Sequence, residues 1–92
     1  MRHVVITTNK RGVFFGELTE HDGDKKIATL KNARMCVYWP ASVRGVVGLA
    51  ATGPKEGAKI TPACPFMEIT DVTAIMDCTS ESVAAWEKGL WS

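Results

Sequence analysis

The sequence predicts a mainly β domain, a small antiparallel barrel of five or six short strands with a C-terminal helix. Three observations lead to this prediction. Short runs rich in Val, Ile and Phe recur along the chain and are separated by Gly, Asn, Asp and Pro, which is typical of strands joined by tight turns. Near the C-terminus the apolar spacing changes to three and four residues, as in a helix. A chain of 92 residues has room for one domain with a small core.

The first half of the chain predicts four strands that follow one another through turns. They are expected at residues 2–8, 12–20, 25–30 and 33–39. Gly16 interrupts the second strand and marks a bend or bulge. The Asp22-Gly23 pair favours a tight primed turn, so the third strand should return antiparallel to the second. A short turn at Lys31 and Asn32 then leads into the fourth strand.

The stretch from Pro40 to Pro65 is the unusual part of the sequence. It contains all four prolines and four of the eight glycines, and it is longer than a bare connection should be. We therefore expect an ordered binding or assembly loop here. Within it, the run VRGVVGLAA is compatible with a short strand, a buried turn or an interface segment. A short strand is also compatible with residues 58–61.

The end of the chain predicts two more strands and one helix. The strands are expected at residues 66–69 and 72–78, and the helix at 79–90. Thr79 or Ser80 can cap the helix and Gly89 can end it. Three apolar residues share one helical face, namely Val83, Trp86 and Leu90. So short a helix is unstable alone in water, so it should dock through Trp86 onto the barrel or a neighbouring subunit.

The composition argues against several classes of protein. Eleven Lys and Arg against ten Asp and Glu give a net charge of +1, so no overall field attracts the chain to nucleic acid or an acidic membrane. No apolar run suits a transmembrane helix or a secretory signal, which predicts a cytoplasmic protein. Three cysteines without C-x-x-C spacing, adjoined by neither histidine, predict buried free thiols and neither a metal site nor a cofactor.

The second and third strands carry a recognisable pattern, FFGELTEHDGDKKIATLKNA. A bent strand with G-x-L, followed by an aspartate and an L-x-x-A strand, resembles the first motif of Sm-like proteins. The matching positions are Gly16, Leu18, Asp22, Leu30 and Ala33. The resemblance implies a five-stranded, SH3-like barrel assembled into a ring. The chain lacks that family's N-terminal helix, the Asn after the Asp and the final Lys-His pair, so no RNA-binding residue is carried over.

A longer series of short strings runs from Val13 to Trp86. They are R-x-C-V-Y-W, R-G-x-x-G-L-A, G-P-x-x-G, K-I-T-P-A and V-T-A-I, followed by the Trp-containing helix. This series resembles a family of short proteins of unknown function encoded in bacteriophages and prophages. The resemblance implies a virus-encoded accessory protein that acts in the bacterial cytoplasm or is packaged in a virion.

The side chains favour a binding protein over an enzyme. The sequence has no G-x-S-x-G, no P-loop and no G-x-G-x-x-G motif, which predicts a non-enzymatic function. In the central stretch, Tyr38 or Trp39 could stack on a ligand ring. Arg44 and Lys59 could neutralise its phosphates, and Thr61 could donate a hydrogen bond. These five residues predict a site for a small anionic ligand, with a nucleotide-type signal of host defence as the leading candidate.

Each of these residues also has an ordinary structural interpretation. Tyr38 and Trp39 alternate along a strand and point opposite ways, so one of them should lie in the core. Lone surface cations mostly serve solvation. Two other functions therefore stay open: a structural or protein-interaction module, as a virion component or an inhibitor of a host protein, and an Sm-like nucleic-acid-binding ring. Small size and a curved sheet predict a homo-oligomer in every case.

Overall fold

A computed structural model gives the fold of residues 2–9 and 12–88. This part of the chain forms six β-strands, two α-helices and one 3₁₀ helix. In chain order they are β1 (His3–Thr8), β2 (Val13–Asp22), β3 (Ile27–Tyr38), the 3₁₀ helix (Ala41–Val43), α1 (Gly45–Ala51), β4 (Lys59–Ile60), β5 (Cys64–Ile69), β6 (Val72–Asp77) and α2 (Ser80–Glu87). None of the helices described is long and apolar enough to cross a membrane. The mainly β class predicted from the sequence is confirmed.

The strands form one antiparallel sheet that is not closed into a barrel. Its order is β4-β3-β2-β1-β6, and β5 also pairs with β3, along the first part of that long strand. Within the described residues β5 and β6 form no ladder with each other, so the predicted SH3-like or Sm-like closed barrel is wrong. Between these strands, the backbone at Asp71 and Val72 bonds instead to Asn9 and to Lys26, in the two neighbouring turns.

The turn that joins β2 to β3 is wider than the predicted primed turn. Residues 23–26 form it, and the positive φ falls at Lys26 (57°) and not at Gly23. The Asp22 carboxylate accepts hydrogen bonds from the N–H groups of Asp24 and Lys25, at 3.1 and 3.2 Å. The antiparallel return is confirmed, but an aspartate side chain and a left-handed lysine provide the turn.

Two irregular positions bend β2 and β3. The predicted bulge at Gly16 is confirmed, because the register of β2 against β3 shifts between Phe15 and Glu17. The predicted turn at Lys31 and Asn32 is wrong. Asn32 takes a positive φ of 53° inside a continuous strand, so the two predicted strands are one strand with a bulge.

The ambiguous run in the central stretch contains a helix, α1. Its two glycines and two valines give little helical propensity, so the sequence alone does not predict it. Burial of Leu49 and Ala50 stabilises it instead. The Leu49 carbonyl accepts hydrogen bonds from Ser82 Oγ (2.5 Å) and Trp86 Nε1 (3.2 Å), both on α2. Tertiary contacts therefore determine this helix.

The helix α2 begins as predicted. Thr79 Oγ1 accepts a hydrogen bond from the Ser82 N–H at 3.1 Å, and Glu81 lies in the first turn. Trp86 is fully buried and stacks on Phe15, with ring centroids 4.9 Å apart and planes within 5°. The helix thus docks through Trp86 onto the sheet, as predicted. The other predictions for its end, at Gly89 and Leu90, lie outside the described residues.

The sheet separates two hydrophobic cores. Along β1, Val5 faces one core while Val4 and Ile6 face the other, because successive side chains of a strand alternate. The helix-covered core contains Val5, Val13, Phe15, Cys36, Val43, Leu49, Ala50, Ala58, Ile60 and Trp86. The sheet core contains Val4, Ile6, Ala28, Leu30, Ala33, Ile69 and Val72.

Candidate binding sites

The predicted site residues fall into separate places. Tyr38 and Lys59 are direct partners across the β3–β4 ladder, and Tyr38 is 54% exposed. Trp39, the next residue, is half-buried and packs against the helix-covered core. The structure therefore exposes one of the two aromatic rings and buries much of the other, although β3 ends at Tyr38 and its register against β4 shifts just before it.

Thr61 has structural partners for three of its polar groups. Its N–H donates to the Met35 carbonyl at 3.0 Å, and its hydroxyl accepts from the Met35 N–H at 2.9 Å. Its carbonyl accepts a hydrogen bond from Arg34 Nη1 at 3.1 Å. Thr61 thus extends the pairing of β3 with β4 by one residue and holds the Arg34 side chain in place.

Arg44 lies at the corner between the 3₁₀ helix and α1, in the left-handed conformation (φ 70°, ψ 44°). Together with Lys55 it lines an open cleft of about 480 Å³, which we call the loop cleft. Its other lining residues are Ser42, Val43, Val47, Gly48, Ala51 and Thr52. No carboxylate lines the cleft in the described part of the chain. The loop cleft therefore combines two cations, two hydroxyls and a mainly aliphatic wall.

Close packing of the corner shapes the loop cleft. The Arg44 N–H bonds to the Ala41 carbonyl at 3.0 Å, and the next residue, Gly45, also has a positive φ of 77°. These two conformations turn the chain back so that Val43 is buried under α1. A Cβ at Gly48 would collide with the Val43 carbonyl, so this close approach requires glycine.

A second pocket, which we call the sheet pocket, lies between the strands β1, β2 and β3 and the end of α2. It has a volume of about 320 Å³. Residues from three strands, α2 and the segment before β5 line it, namely His3, Phe15, Glu17, Lys31, Asn32, Arg34, Ala63 and Glu87. No local pattern in the sequence predicts this pocket, because its residues are far apart in the chain. Only the strand register brings them together.

Three rings are stacked at the sheet pocket. His3 stacks on Phe15 with centroids 5.6 Å apart, and Phe15 stacks on Trp86. His3 Nε2 lies 3.6 Å from Glu17 Oε1, and both side chains are mostly buried. The sheet pocket therefore has a rigid aromatic wall beside charged groups.

Two of the three free cysteines, Cys36 and Cys78, have thiols of low reactivity. Burial raises the pKa of the Cys36 thiol from 9.0 to about 11, and burial likewise raises the pKa of Cys78. Both thiols are therefore protonated at neutral pH and are poor nucleophiles. Within residues 2–9 and 12–88, no three His, Cys, Asp or Glu side chains are grouped to hold a metal ion.

Comparisons with known proteins give one match. A family model described as a domain of unknown function, DUF6948, covers residues 1–86. No curated protein and no solved structure matches the chain. The family description carries neither a phage origin nor a relationship to Sm-like proteins.

Proposed function

The chain belongs to the DUF6948 family, whose description assigns no activity, and from its geometry we propose a non-enzymatic module that binds a small anionic ligand in the loop cleft. One observation carries the proposal. Arg44 and Lys55 line the same cleft, and no acidic side chain among the described residues lines it with them.

The chemistry of the loop cleft suits a phosphate attached to a less polar group. Arg44 offers a planar set of donors to phosphate oxygens, and Lys55 adds a second charge. Ser42 adds a hydroxyl group to the same cleft, whereas the Thr52 hydroxyl donates to the Gly48 carbonyl at 3.1 Å. The aliphatic wall can cover the rest of the ligand, and the cleft volume lies in the range of small-molecule sites.

The backbone at Arg44 supports a functional role for its side chain. A non-glycine residue in the left-handed conformation costs about 1–2 kcal/mol. Glycine or asparagine would adopt the same turn at lower cost. Strain of this kind concentrates at functional sites, where a particular side chain is needed in a particular place.

The ligand class follows from the sequence resemblance and the cleft chemistry together. A nucleotide-type signal of host defence, bound by a phage-encoded accessory protein in a bacterial cytoplasm, is the first class to test. Tyr38 and Lys59 are partners across β3 and β4 and do not line the loop cleft, so the proposal assigns them no role in it. Thr61 does not line the loop cleft, and its polar groups are bonded to Arg34 and Met35, so it has no assigned role in this site.

Isothermal titration calorimetry with pyrophosphate, AMP, ATP and cyclic dinucleotides tests this function on the full chain. We expect at least one of them to bind, and the double variant Arg44→Asn/Lys55→Gln to bind about tenfold more weakly or worse. Asn keeps the left-handed turn accessible, so the change removes charge with little added strain. Lys25→Gln, in the exposed β2–β3 turn, is the control and should bind as the parent does. No binding by any probe, or equal binding by the double variant, contradicts the proposal.

A protein-interaction or structural function is the second candidate, because large apolar side chains are exposed. Phe66 on β5 and Val47 on α1 are 66% and 67% exposed, and Val37 is 49% exposed. Burial of such residues in a homo-oligomer, a virion or a host protein would remove this apolar surface from water. Light scattering after size-exclusion chromatography should show an oligomer that Phe66→Ser weakens. A monomer at all concentrations contradicts self-assembly, and salt-sensitive retention on RNA would favour a nucleic-acid-binding ring instead.

A further inference from the structure

The sheet pocket lies on a row of side chains that crosses four strands. His3 on β1 is the direct partner of Glu17 on β2, and Glu17 is the partner of Lys31 on β3. Lys31 is in turn the partner of Phe66 on β5. Direct partners of an antiparallel sheet project from the same face. The row therefore places an acid, a base and two rings side by side on strands and not on loops.

The sheet pocket is lined by charged side chains of both signs, and most of them do not pair with one another. Lys31 and Arg34 line it from β3, while Glu17 and Glu87 line it from β2 and α2. Among the described residues, the one contact between a basic and an acidic side chain of the pocket is that of His3 with Glu17, at 3.6 Å. In the part of the chain that the structure describes, Lys31, Arg34 and Glu87 have no ion-pair partner within 4.0 Å.

Two of the four charged groups of the sheet pocket, Arg34 and Glu17, are held in position before any ligand arrives. The Thr61 carbonyl fixes Arg34, and two backbone hydrogen bonds to Met35 fix Thr61. The Glu17 side chain is only 16% exposed and lies beside the ring of His3. Groups held on strands by a second layer of hydrogen bonds lose little entropy on binding.

From this arrangement we propose that the sheet pocket binds a zwitterionic small molecule, a free α-amino acid or a close analogue. Its carboxylate would lie against Lys31 and Arg34, and its ammonium group against Glu17 and Glu87. A pure anion meets two carboxylates in this pocket and a pure cation meets two basic groups, so a ligand with both charges is favoured. The volume of about 320 Å³ is at the small end for ligand pockets, which fits a molecule of this size. This site is independent of the loop cleft.

The test uses the full ¹⁵N-labelled chain and the twenty free amino acids, first pooled and then singly, at millimolar concentration. We expect at least one amino acid to shift the amide resonances of Glu17, Lys31 and Glu87, while those around Arg44 stay unchanged. Two analogues of that amino acid are then titrated, one without its amino group and one without its carboxyl group. Each should bind about tenfold more weakly or worse, since each loses a charge-assisted contact.

Two conservative variants assign the charges. Lys31→Gln should weaken the amino acid and the analogue that keeps the carboxyl group, and leave the amine analogue unchanged. Glu87→Gln should weaken the binding of the amino acid and of the analogue that keeps the amino group, and leave the carboxylate analogue unchanged. Lys25→Gln, in the exposed β2–β3 turn, is the control and should change none of the three affinities. The proposal is overturned if no amino acid shifts these resonances, if an analogue with one charge binds as tightly as the parent amino acid, or if Lys31→Gln and Glu87→Gln leave all affinities unchanged.

Discussion

The two hydrophobic cores lie on opposite faces of one sheet and are held together in different ways. The sheet core consists of residues on or next to strands, and ladder hydrogen bonds fix their backbone. In the helix-covered core, six of the ten buried residues belong to the segment 40–65 or to α2. Side-chain packing and the hydrogen bonds to the Leu49 carbonyl fix most of these. The helix-covered core should therefore open more readily than the sheet core.

This difference bears on function. The loop cleft is formed by residues of the 3₁₀ helix, α1 and the loop that follows, so it depends on the packing of the helix-covered core. The sheet pocket is formed mainly by strand residues and depends on the register of the sheet. A ligand that orders the segment 40–65 would stabilise the loop cleft strongly. The sheet pocket needs no such ordering.

Replacing Trp86 by Ala is expected to have the largest effect. It removes the ring that stacks on Phe15 and one of the donors to the Leu49 carbonyl. The free energy of unfolding should fall by about 3–5 kcal/mol, as for other large aromatic residues truncated in cores. Urea unfolding followed by circular dichroism measures it.

Hydrogen exchange on the same variant separates the two cores. Amides of α1 and β4 should lose protection first in Trp86→Ala, while those of β1 and β3 should keep it down to global unfolding. Leu30→Ala in the sheet core is the matched control, expected to cost about 2–5 kcal/mol and to lower protection throughout. Equal loss of protection in all elements of Trp86→Ala would show that the two cores open as one unit.

The reactivity of Cys36 reports on the same opening. Burial raises its pKa from 9.0 to about 11, so at pH 8 the native thiolate fraction is about a hundredfold below that of an unfolded chain. Its alkylation should be slowed by at least that factor in a Cys64→Ser/Cys78→Ser background. Because β4 covers Cys36 with a two-residue strand, labelling should occur through local opening, at a free-energy cost below that of global unfolding.

The sign of the pH dependence follows from the same pKa. The folded state disfavours the thiolate, so stability is unaffected below pH 9 and falls as the pH rises from 9 toward 11. Cys36→Ala should reduce this slope, and Cys78, whose pKa burial also raises, contributes in the same direction. In the alkylation experiment, a Cys36 thiol that reacts at pH 8 as fast as in the unfolded chain would contradict the placement of Cys36 in the core.

Replacing Gly48 by Ala tests the corner that forms the loop cleft. The added methyl group would meet the Val43 carbonyl, and we expect a loss of about 1–3 kcal/mol from overpacking. In an ordinary helix the same change would be stabilising. Gly23→Ala is the matched control, because its Cβ would meet no atom closer than 4.0 Å and its φ is not positive. Thermal unfolding of both variants should show a lower melting temperature for Gly48→Ala alone.

The strands were predictable because their signals are local. Alternating β-formers, the Gly16 bend and the Thr79 cap each depend on a few adjacent residues, and the structure contains all of them. The helix α1 was not predictable in this way. Its valines and glycines favour other conformations, and contacts with α2, about thirty residues later, determine it. The prediction of a closed barrel was wrong for a related reason. Pairing of β5 with β6 depends on the turns at Lys26 and Asp71, whose backbone groups form other hydrogen bonds, and not on the sequence of either strand.

The candidate sites show the same limit. Arg44 was predicted as a ligand-binding cation from its place in a glycine-rich stretch, and the structure puts it in a cleft. Two features depend on tertiary structure and are not predicted by the sequence. Arg44 and Lys55 line the same cleft, and the Thr61 carbonyl accepts a hydrogen bond from Arg34. The sheet pocket depends on the register of three strands, which no local pattern contains.

Replacing Arg44 by Gly should have the smallest effect on stability and a large effect on binding. Relief of the left-handed strain contributes about 1–2 kcal/mol, and the greater freedom of Gly in the unfolded chain offsets about 0.5–1 kcal/mol of it. The variant should therefore be equally or slightly more stable, by about 0.5–1 kcal/mol in denaturant titration, while anion affinity in the loop cleft falls about tenfold.

Arg44→Ala is the matched control, because it removes the same charge and keeps the strained conformation. It should lose the same affinity with no gain in stability. A protein that keeps arginine where glycine is more stable and equally well folded retains it for what the side chain binds. If Arg44→Gly is less stable than Arg44→Ala, the left-handed backbone at Arg44 is not strained. The backbone conformation then gives no support to a binding role for the Arg44 side chain in the loop cleft.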